Sequence, residues 1–340
     1  MAWLAGQPGR TDAKLRSVCR LAILGVLIAW PVFADDTSVT LGAGGLVPMK
    51  SSDNTMESED LQISTGRIEV KSLFRNNSDR DIVTLVAFPL PELDGGLLRT
   101  SIVLLPSGGS VNFVDFALKV NRRATATKTD LRAFWEGQDI TTHLRSLGLP
   151  ISVLDKGMDA AIGRLAPAIR RGIEKEELII PINDPHESRK WSPEWANHVN
   201  FYWSQRFPRK SAIEVEHTYR PVVGVGDRYR DIDQGFTVKQ YCGGPDDVDR
   251  IEREKRAHPE KHELDTIWTE NYINFVLKTA RNWAGPIGRF HLTVLSDSPN
   301  DIALTCLPGL KKASPVRYEL RYSDFRPDRD LDLLIIQFGK

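Results

Sequence analysis

The chain has 340 residues, 45 Lys or Arg and 45 Asp or Glu, giving a formal net charge of zero. Hydrophobic residues at 41% exclude an intrinsically disordered chain, which has too little apolar surface to fold and usually a large net charge. The balanced charge argues against a protein that binds nucleic acid by neutralising phosphates.

Lys14, Arg16 and Arg20 precede an apolar run, 21–33, that ends in Val32-Phe33-Ala34 before Asp35-Asp36. A basic stretch, a short apolar core and a small residue at the boundary form the layout of a secretory signal peptide. Residues 1–34 are therefore read as a leader cleaved after Ala34. A retained anchor needs about 20 apolar residues, whereas this run has 13 and contains Pro31, so no membrane span is expected after cleavage. Cys19 leaves with the leader. Cys242 and Cys306 remain, and an even pair in an exported chain reads as a disulfide.

From 36 to 136 the pattern is that of strands. In 67–75, Ile68, Val70 and Phe74 share one face, with Arg67, Glu69, Lys71 and Arg75 on the other, the alternation of a half-buried strand. Asn76-Asn77-Ser78-Asp79 supplies turn residues, and 81–88 reads as the return strand of a hairpin. Further strands are expected over 111–120 and 131–135. Asp139 is placed to cap a helix over 140–147, stopped by Gly148-Leu149-Pro150. Met158, Ile162, Leu165 and Ile169 give helical spacing over 157–171. The Pro-rich polar stretch 181–195 reads as a loop or boundary.

Strands resume at 199–207 and 213–219, read as a second hairpin around Pro208-Arg209-Lys210-Ser211. Two helices are expected at 246–257 and 264–282, then strands at 287–295, 302–306, 317–322 and 331–338. Runs of strands with grouped helices predict a mainly β fold, antiparallel and sandwich-like, with helical insertions. The expected division is a leader (1–34), an N-terminal β-rich region (35–136), a helical insert and loop (137–195), and a C-terminal β-rich region (196–340) carrying a two-helix insertion (246–282).

Several segments in this order, DDTSVTLGAGGLVP, MESEDLQIS, FRNNSDRDIVTLVAFPLPELDGG, FYWSQRFPRKSAIEVEHTYRPVVG and NWAGPIGRFHLTVLSDSPNDIALTC, resemble the bacterial family DUF4424. The resemblance covers nearly all of 36–337. It implies an exported, periplasmic protein of Gram-negative bacteria and brings no catalytic set.

Candidate chemistry is sparse. The glycines at 42, 44 and 45 and at 224 and 226 lack the strand–turn–helix context of a dinucleotide fingerprint, so no cofactor is expected. His258 and His262 are four apart near Glu260 and Glu263, but Pro259 breaks the helix that zinc ligation would need, and no metal site is expected. His217 shares parity with Ile213, Val215 and Tyr219 and reads as a partly buried sheet residue. Glu92 and Asp94 are too few acids to specify a cation. The outstanding feature is aromatic: Trp191, Trp195, Phe201, Tyr202, Trp203 and Phe207 fall within 17 residues. Parity sends Phe201, Trp203 and Phe207 to the core and leaves Trp191, Trp195 and Tyr202 as a candidate surface for a protein or glycan partner. The function expected is non-enzymatic binding or structural work in the periplasm; the alternative is a periplasmic hydrolase with a carboxylate-based site that no linear motif reveals.

Overall fold

A computed structural model describes residues 36–42, 45–106, 111–226, 234–258 and 268–338. The leader 1–34 and the residues Glu260, His262 and Glu263 lie outside them. Strand dominates, at 46% against 18% helix.

An eight-stranded sheet runs, in spatial order, Lys311–Ser314, Arg317–Phe325, Ile287–Leu295, Asn54–Ile63, Ile68–Asn76, Ala212–Tyr219, Ala117–Val120 and Arg123–Thr125. All its pairs are antiparallel except Asn54–Ile63 with Ile287–Leu295, which is parallel. A seven-stranded sheet runs Gln138–Asp139, Lys128–Trp135, Ala196–Phe207, Ile82–Pro89, Thr37–Gly42 and Gly45–Pro48, with Leu93–Asp94 also on Ala196–Phe207. Their inward faces share one apolar core, in which Phe74 meets Phe207 and Phe88 meets Phe116 and Tyr219.

Neither expected hairpin forms. Ile68–Asn76 pairs with Ala212–Tyr219 in one sheet, while Ile82–Pro89 pairs with Ala196–Phe207 in the other. Both chain reversals are therefore corners that cross between sheets. Asn76 binds the two corners together: its side-chain amide donates to the carbonyls of Arg80 (2.8 Å) and Phe207 (2.9 Å), and its backbone N–H donates to Ser211. Asp81 completes the clasp by accepting from the backbone N–H of Arg209 and from the Arg206 guanidinium.

A bulge at Glu57 sets the phase of Asn54–Ile63, because the register shifts between Met56 and Ser58. Asn54 and Met56 face inward before it, Glu59, Leu61 and Ile63 after it. Gly288 makes this packing possible, since a Cβ there would lie 2.7 Å from the carbonyl oxygen of Glu57.

A five-stranded sheet, Ile302–Thr305, Leu331–Phe338, Trp268–Phe275, Val223–Val225 and Ile102–Leu104, lies beside the helices Gln234–Gln240 and Pro245–Ala257. This corrects the expected helix at 264–282. Trp268–Phe275 pairs along its length with Leu331–Phe338, burying Ile273 and Phe275, and Lys278–Asn282 coils as a 3-10 turn. The helix read over 157–171 is two, Met158–Arg164 and Pro167–Lys175. Leu165 and Ala166 are extended between them, because a residue preceding proline avoids the helical region. The strand read over 111–120 pairs only at Ala117–Val120; upstream, Asn112 bonds both the N–H and the carbonyl of Phe116 in a turn. The expected cap at Asp139 does not form: Ile140 is the N-cap of the helix Thr141–Ser146 and makes no side-chain capping bond, while Asp139 accepts from the N–H of Thr141 in a local turn.

Strands from the expected N-terminal (35–136) and C-terminal (196–340) regions interleave in both large sheets. The described residues gather into one compact unit. No helix among them is long and apolar enough to cross a membrane.

Candidate functional site

The structure separates the three candidate surface aromatics. Trp195 is wholly buried and donates its indole N–H to the carbonyl of Ile151 at 2.8 Å. That corrects its assignment to a surface. The 181–195 stretch folds back on itself, pairing Trp191–Pro193 with Ile179–Pro181, and the helix Gly95–Thr100 closes over it. A Cβ at Gly95 would lie 2.0 Å from the carbonyl oxygen of Pro193, so only glycine allows that approach. Trp191 is half-buried against the helix Pro167–Lys175. Its indole N–H reaches Glu174 (3.3 Å) and the Arg170 guanidinium sits 5.7 Å from its ring centre. Tyr202 is half-buried on the outer face of the seven-stranded sheet, in register with Lys128 and Ala87. Trp191 and Tyr202 belong to different sheets and make no common platform. Phe201, Trp203 and Phe207 are buried, as their parity predicts.

Cys242 and Cys306 form a disulfide, with Cα atoms 4.9 Å apart. The bond joins the end of the helix Gln234–Gln240 to the end of the strand Ile302–Thr305. It closes a small apolar cluster of Val238, Ile251, Ile302, Leu304, Leu334 and Ile336.

Glu92 and Asp94 have local partners: Glu92 lies 2.6 Å from His198, and Asp94 caps the helix Gly95–Thr100. His258 ends the helix Pro245–Ala257, its Nδ1 2.9 Å from the carbonyl of Glu254. Among the described residues no cluster of His, Cys, Asp and Glu is arranged to hold a metal.

Charged side chains line several accessible concavities. One, of about 560 Å³, lies between the helix Gly95–Thr100 and the 180–193 segment. It is lined by Leu98, Val153, Ile180 and Ile182 together with the charged Arg99, Asp184, Glu187 and Arg189. Arg99 forks onto Glu194 at 2.9 and 3.0 Å, while Arg189 donates to the carbonyl of Val153 at 2.9 Å. Another, of about 410 Å³, is on the outer face of the eight-stranded sheet. There His291 meets Asp60 (3.2 Å) through Nδ1 and Glu319 (3.4 Å) through Nε2, and Glu319 also holds Arg317 and Arg321. A carboxylate thus lies against each ring nitrogen of His291.

A third constellation is sealed between the large sheets. Asp36 and Glu59 are wholly buried, and His217 is 1% exposed. Glu59 arrives through the bulge and sits across from Ser72, while His217 points inward one pair further along. The Asp36 Oδ1 lies 3.8 Å from the His217 Nε2, beyond hydrogen-bond length. Among the described residues, neither carboxylate oxygen of Asp36 and neither ring nitrogen of His217 has a hydrogen-bond partner. Burial pulls the imidazole down to about 3, whereas burial and the nearby Glu59 push the Asp36 carboxyl well above its ordinary value. Residues as far apart as 36, 59 and 217 leave no linear signature; the one trace was the shared parity of His217 with a core strand.

Two curled sheets around a sealed polar cluster, with charged groups lining the open concavities, define a mainly β, sandwich-like protein. The chain belongs to the family DUF4424, a domain of unknown function, whose model matches residues 34–334. Among solved structures it is similar to a protein of Legionella pneumophila described as a candidate nutrient-binding protein, with 14% identity, a TM-score of 0.44, and coverage of 89% of this chain and 70% of that one. A second similarity is to the Mu homology domain of zebrafish Fcho1 with a bound Eps15 peptide, at 9% identity and a TM-score of 0.19, covering 85% and 81%. No curated protein matches.

Proposed function

We propose that this is an exported, periplasmic binding protein that works without catalysis, its leader removed after Ala34. The carrying observation is the concavity between the helix Gly95–Thr100 and the 180–193 segment. It has a lining of mixed apolar and charged side chains and a size suited to a small organic ligand. The disulfide supports export, because such bonds persist in oxidising compartments. A carboxylate-based hydrolase would need accessible converging acids; Asp36 and Glu59 converge away from solvent.

The test is a thermal-shift screen of the mature protein against sugars, amino acids and other small polar metabolites, beside a cavity-filling Leu98→Trp variant. A ligand that raises the melting temperature of the wild type and not of the variant is the expected result. Retention of a protein or glycan in a periplasmic pull-down, lost in the same variant, would place a larger partner in the same groove. Hydrolysis of a chromogenic ester, amide or glycoside that disappears on substituting a single carboxylate would overturn the reading.

A further inference from the structure

Arg250 and Lys312 line one cavity and hold no acid between them. Arg250 comes from the middle of the helix Pro245–Ala257, and Lys312 from the edge strand Lys311–Ser314, in register with Tyr318. Their partners are backbone carbonyls. The Lys312 Nζ donates to Pro299 at 2.5 Å, and an Arg250 Nη approaches Asp301 at 3.5 Å. Tyr318 links the two: its hydroxyl donates to the same Asp301 carbonyl at 2.8 Å and meets Arg250, while the Lys312 ammonium sits 5.2 Å from its ring centre. The acids nearby are engaged elsewhere. The buried Asp301 carboxylate accepts from the backbone N–H groups of Asp297, Ser298 and Phe338. Asp247 accepts from the N–H of Gly244, and Glu254 lies 3.9 Å from His258. Among the described residues no carboxylate comes within ion-pair range of Arg250 or Lys312, whereas Arg99 and Arg321 in the other concavities each hold a glutamate. Burial first, and then the Arg250 guanidinium, holds the Lys312 ammonium below its ordinary value; Asp301 and Glu254 offset this only in part.

We propose that Arg250 and Lys312 bind the phosphate group of a small organic phosphate, at a site separate from the concavity beside Gly95–Thr100. The cavity measures about 410 Å³, which is more than a bare phosphate fills and falls within the range of small-molecule sites. A guanidinium presents five N–H donors in a planar fork and an ammonium presents three, so the pair suits a tetrahedral dianion held from two sides. The dianion also offsets the repulsion between the two cations. Leu307 and Leu310 line the same cavity and supply apolar contact for the organic body. The disulfide fixes the spacing of the site. Cys242 and Cys306 both line the cavity, and their bond ties the turn before the Arg250 helix to the end of the strand Ile302–Thr305.

The test is an NMR titration of the oxidised protein with phenyl phosphate, inorganic phosphate and benzyl alcohol, at an ionic strength of about 0.15 M so that loose surface attraction is screened. Expected is saturable binding of phenyl phosphate, with the largest amide shifts within 242–250 and 303–312, weaker binding of inorganic phosphate, and none of benzyl alcohol. Arg250→Gln and Lys312→Gln should each weaken phenyl phosphate by about tenfold or more, since each removes charge-assisted hydrogen bonds. Lys312→Arg keeps the charge and should keep the binding. The shift map is read on the wild type, so it stands whether or not a variant folds. Shifts centred elsewhere overturn the proposal, as does an affinity unchanged in both Gln variants. Inorganic phosphate bound as tightly as phenyl phosphate removes the organic body. Benzyl alcohol bound as well as phenyl phosphate shows an apolar pocket with no anion recognition, and overturns it too.

Discussion

The indole N–H of Trp283 donates to the backbone carbonyl of Asp36, linking residues 247 positions apart in the sequence. The Trp283 ring lies 4.6 Å from Phe74 and 5.9 Å from Phe207, so the bond spans an apolar core. Trp283→Phe keeps an aromatic ring but leaves the carbonyl without its donor. Losing a buried partner costs about 1–3 kcal/mol, and urea unfolding should show at least that loss. An unchanged midpoint would mean the carbonyl is satisfied in another way.

His217 gives the protein an acid-sensitive limb. Its folded value near 3 lies below the ordinary value of 6.5, so between those limits the unfolded chain binds a proton that the folded chain refuses. Stability from this residue is complete above pH 6.5 and is lost as pH falls, approaching about 1.4 kcal/mol per unit. The raised Asp36 carboxyl acts with the opposite sign, losing stability as pH rises above 3.8. Asp36→Asn is therefore the background in which to read His217. Its urea midpoint should fall steadily from pH 6.5 to pH 4, and the fall should vanish in Asp36→Asn/His217→Asn.

The two neighbouring tryptophans should behave differently. Trp195→Ala empties a wholly buried site and should cost about 3–5 kcal/mol. Trp191, half-exposed over Pro167–Lys175, should cost much less, about 1 kcal/mol for its hydrogen bond and ring contact. Melting curves of the single variants suffice. Equal losses would show that Trp191 is core as well.

Reduction of Cys242–Cys306 should release the helices Gln234–Gln240 and Pro245–Ala257 before the large sheets. The two cysteines are 64 residues apart, and a loop of that size contributes about 4 kcal/mol in the chain-entropy account. Hydrogen exchange with and without reductant is the measurement. Increased exchange confined to 234–257 and 302–306 is expected; uniform loosening of the whole chain would contradict it.

Alternation made the strands legible, and with them which side chains enter the core: Ile68, Val70 and Phe74 in one sheet, Phe201, Trp203 and Phe207 in the other. It did not reveal partners. Turn residues at 76–79 and 208–211 signal a reversal, and the same residues serve a hairpin or a corner. What decides is the clasp at Asn76, whose partners lie in both reversals. The segment 264–282 misled because its apolar residues also fit helical spacing. Its β-branched and aromatic residues, Trp268, Thr269, Tyr272, Ile273 and Phe275, carry the strand preference that pairing with Leu331–Phe338 then enforces. Glu59 was hidden for a different reason. A bulge of one residue exchanges the faces of a strand, and the sequence around Glu57 does not announce it.

The parallel ladder between Asn54–Ile63 and Ile287–Leu295 has a consequence in time. His291 meets Asp60 across 231 residues, and Asn282 meets Thr37 across 245. As the chain emerges, from ribosome or from translocation pore, Asn54–Ile63 finds Ile68–Asn76 at once, but its other edge has no partner until nearly all of the chain has followed. Contacts at such separations are associated with slow folding, because loop closure precedes the gain from pairing. The early strands must therefore wait with their edges open, and they are the segments in which a holding chaperone would matter most.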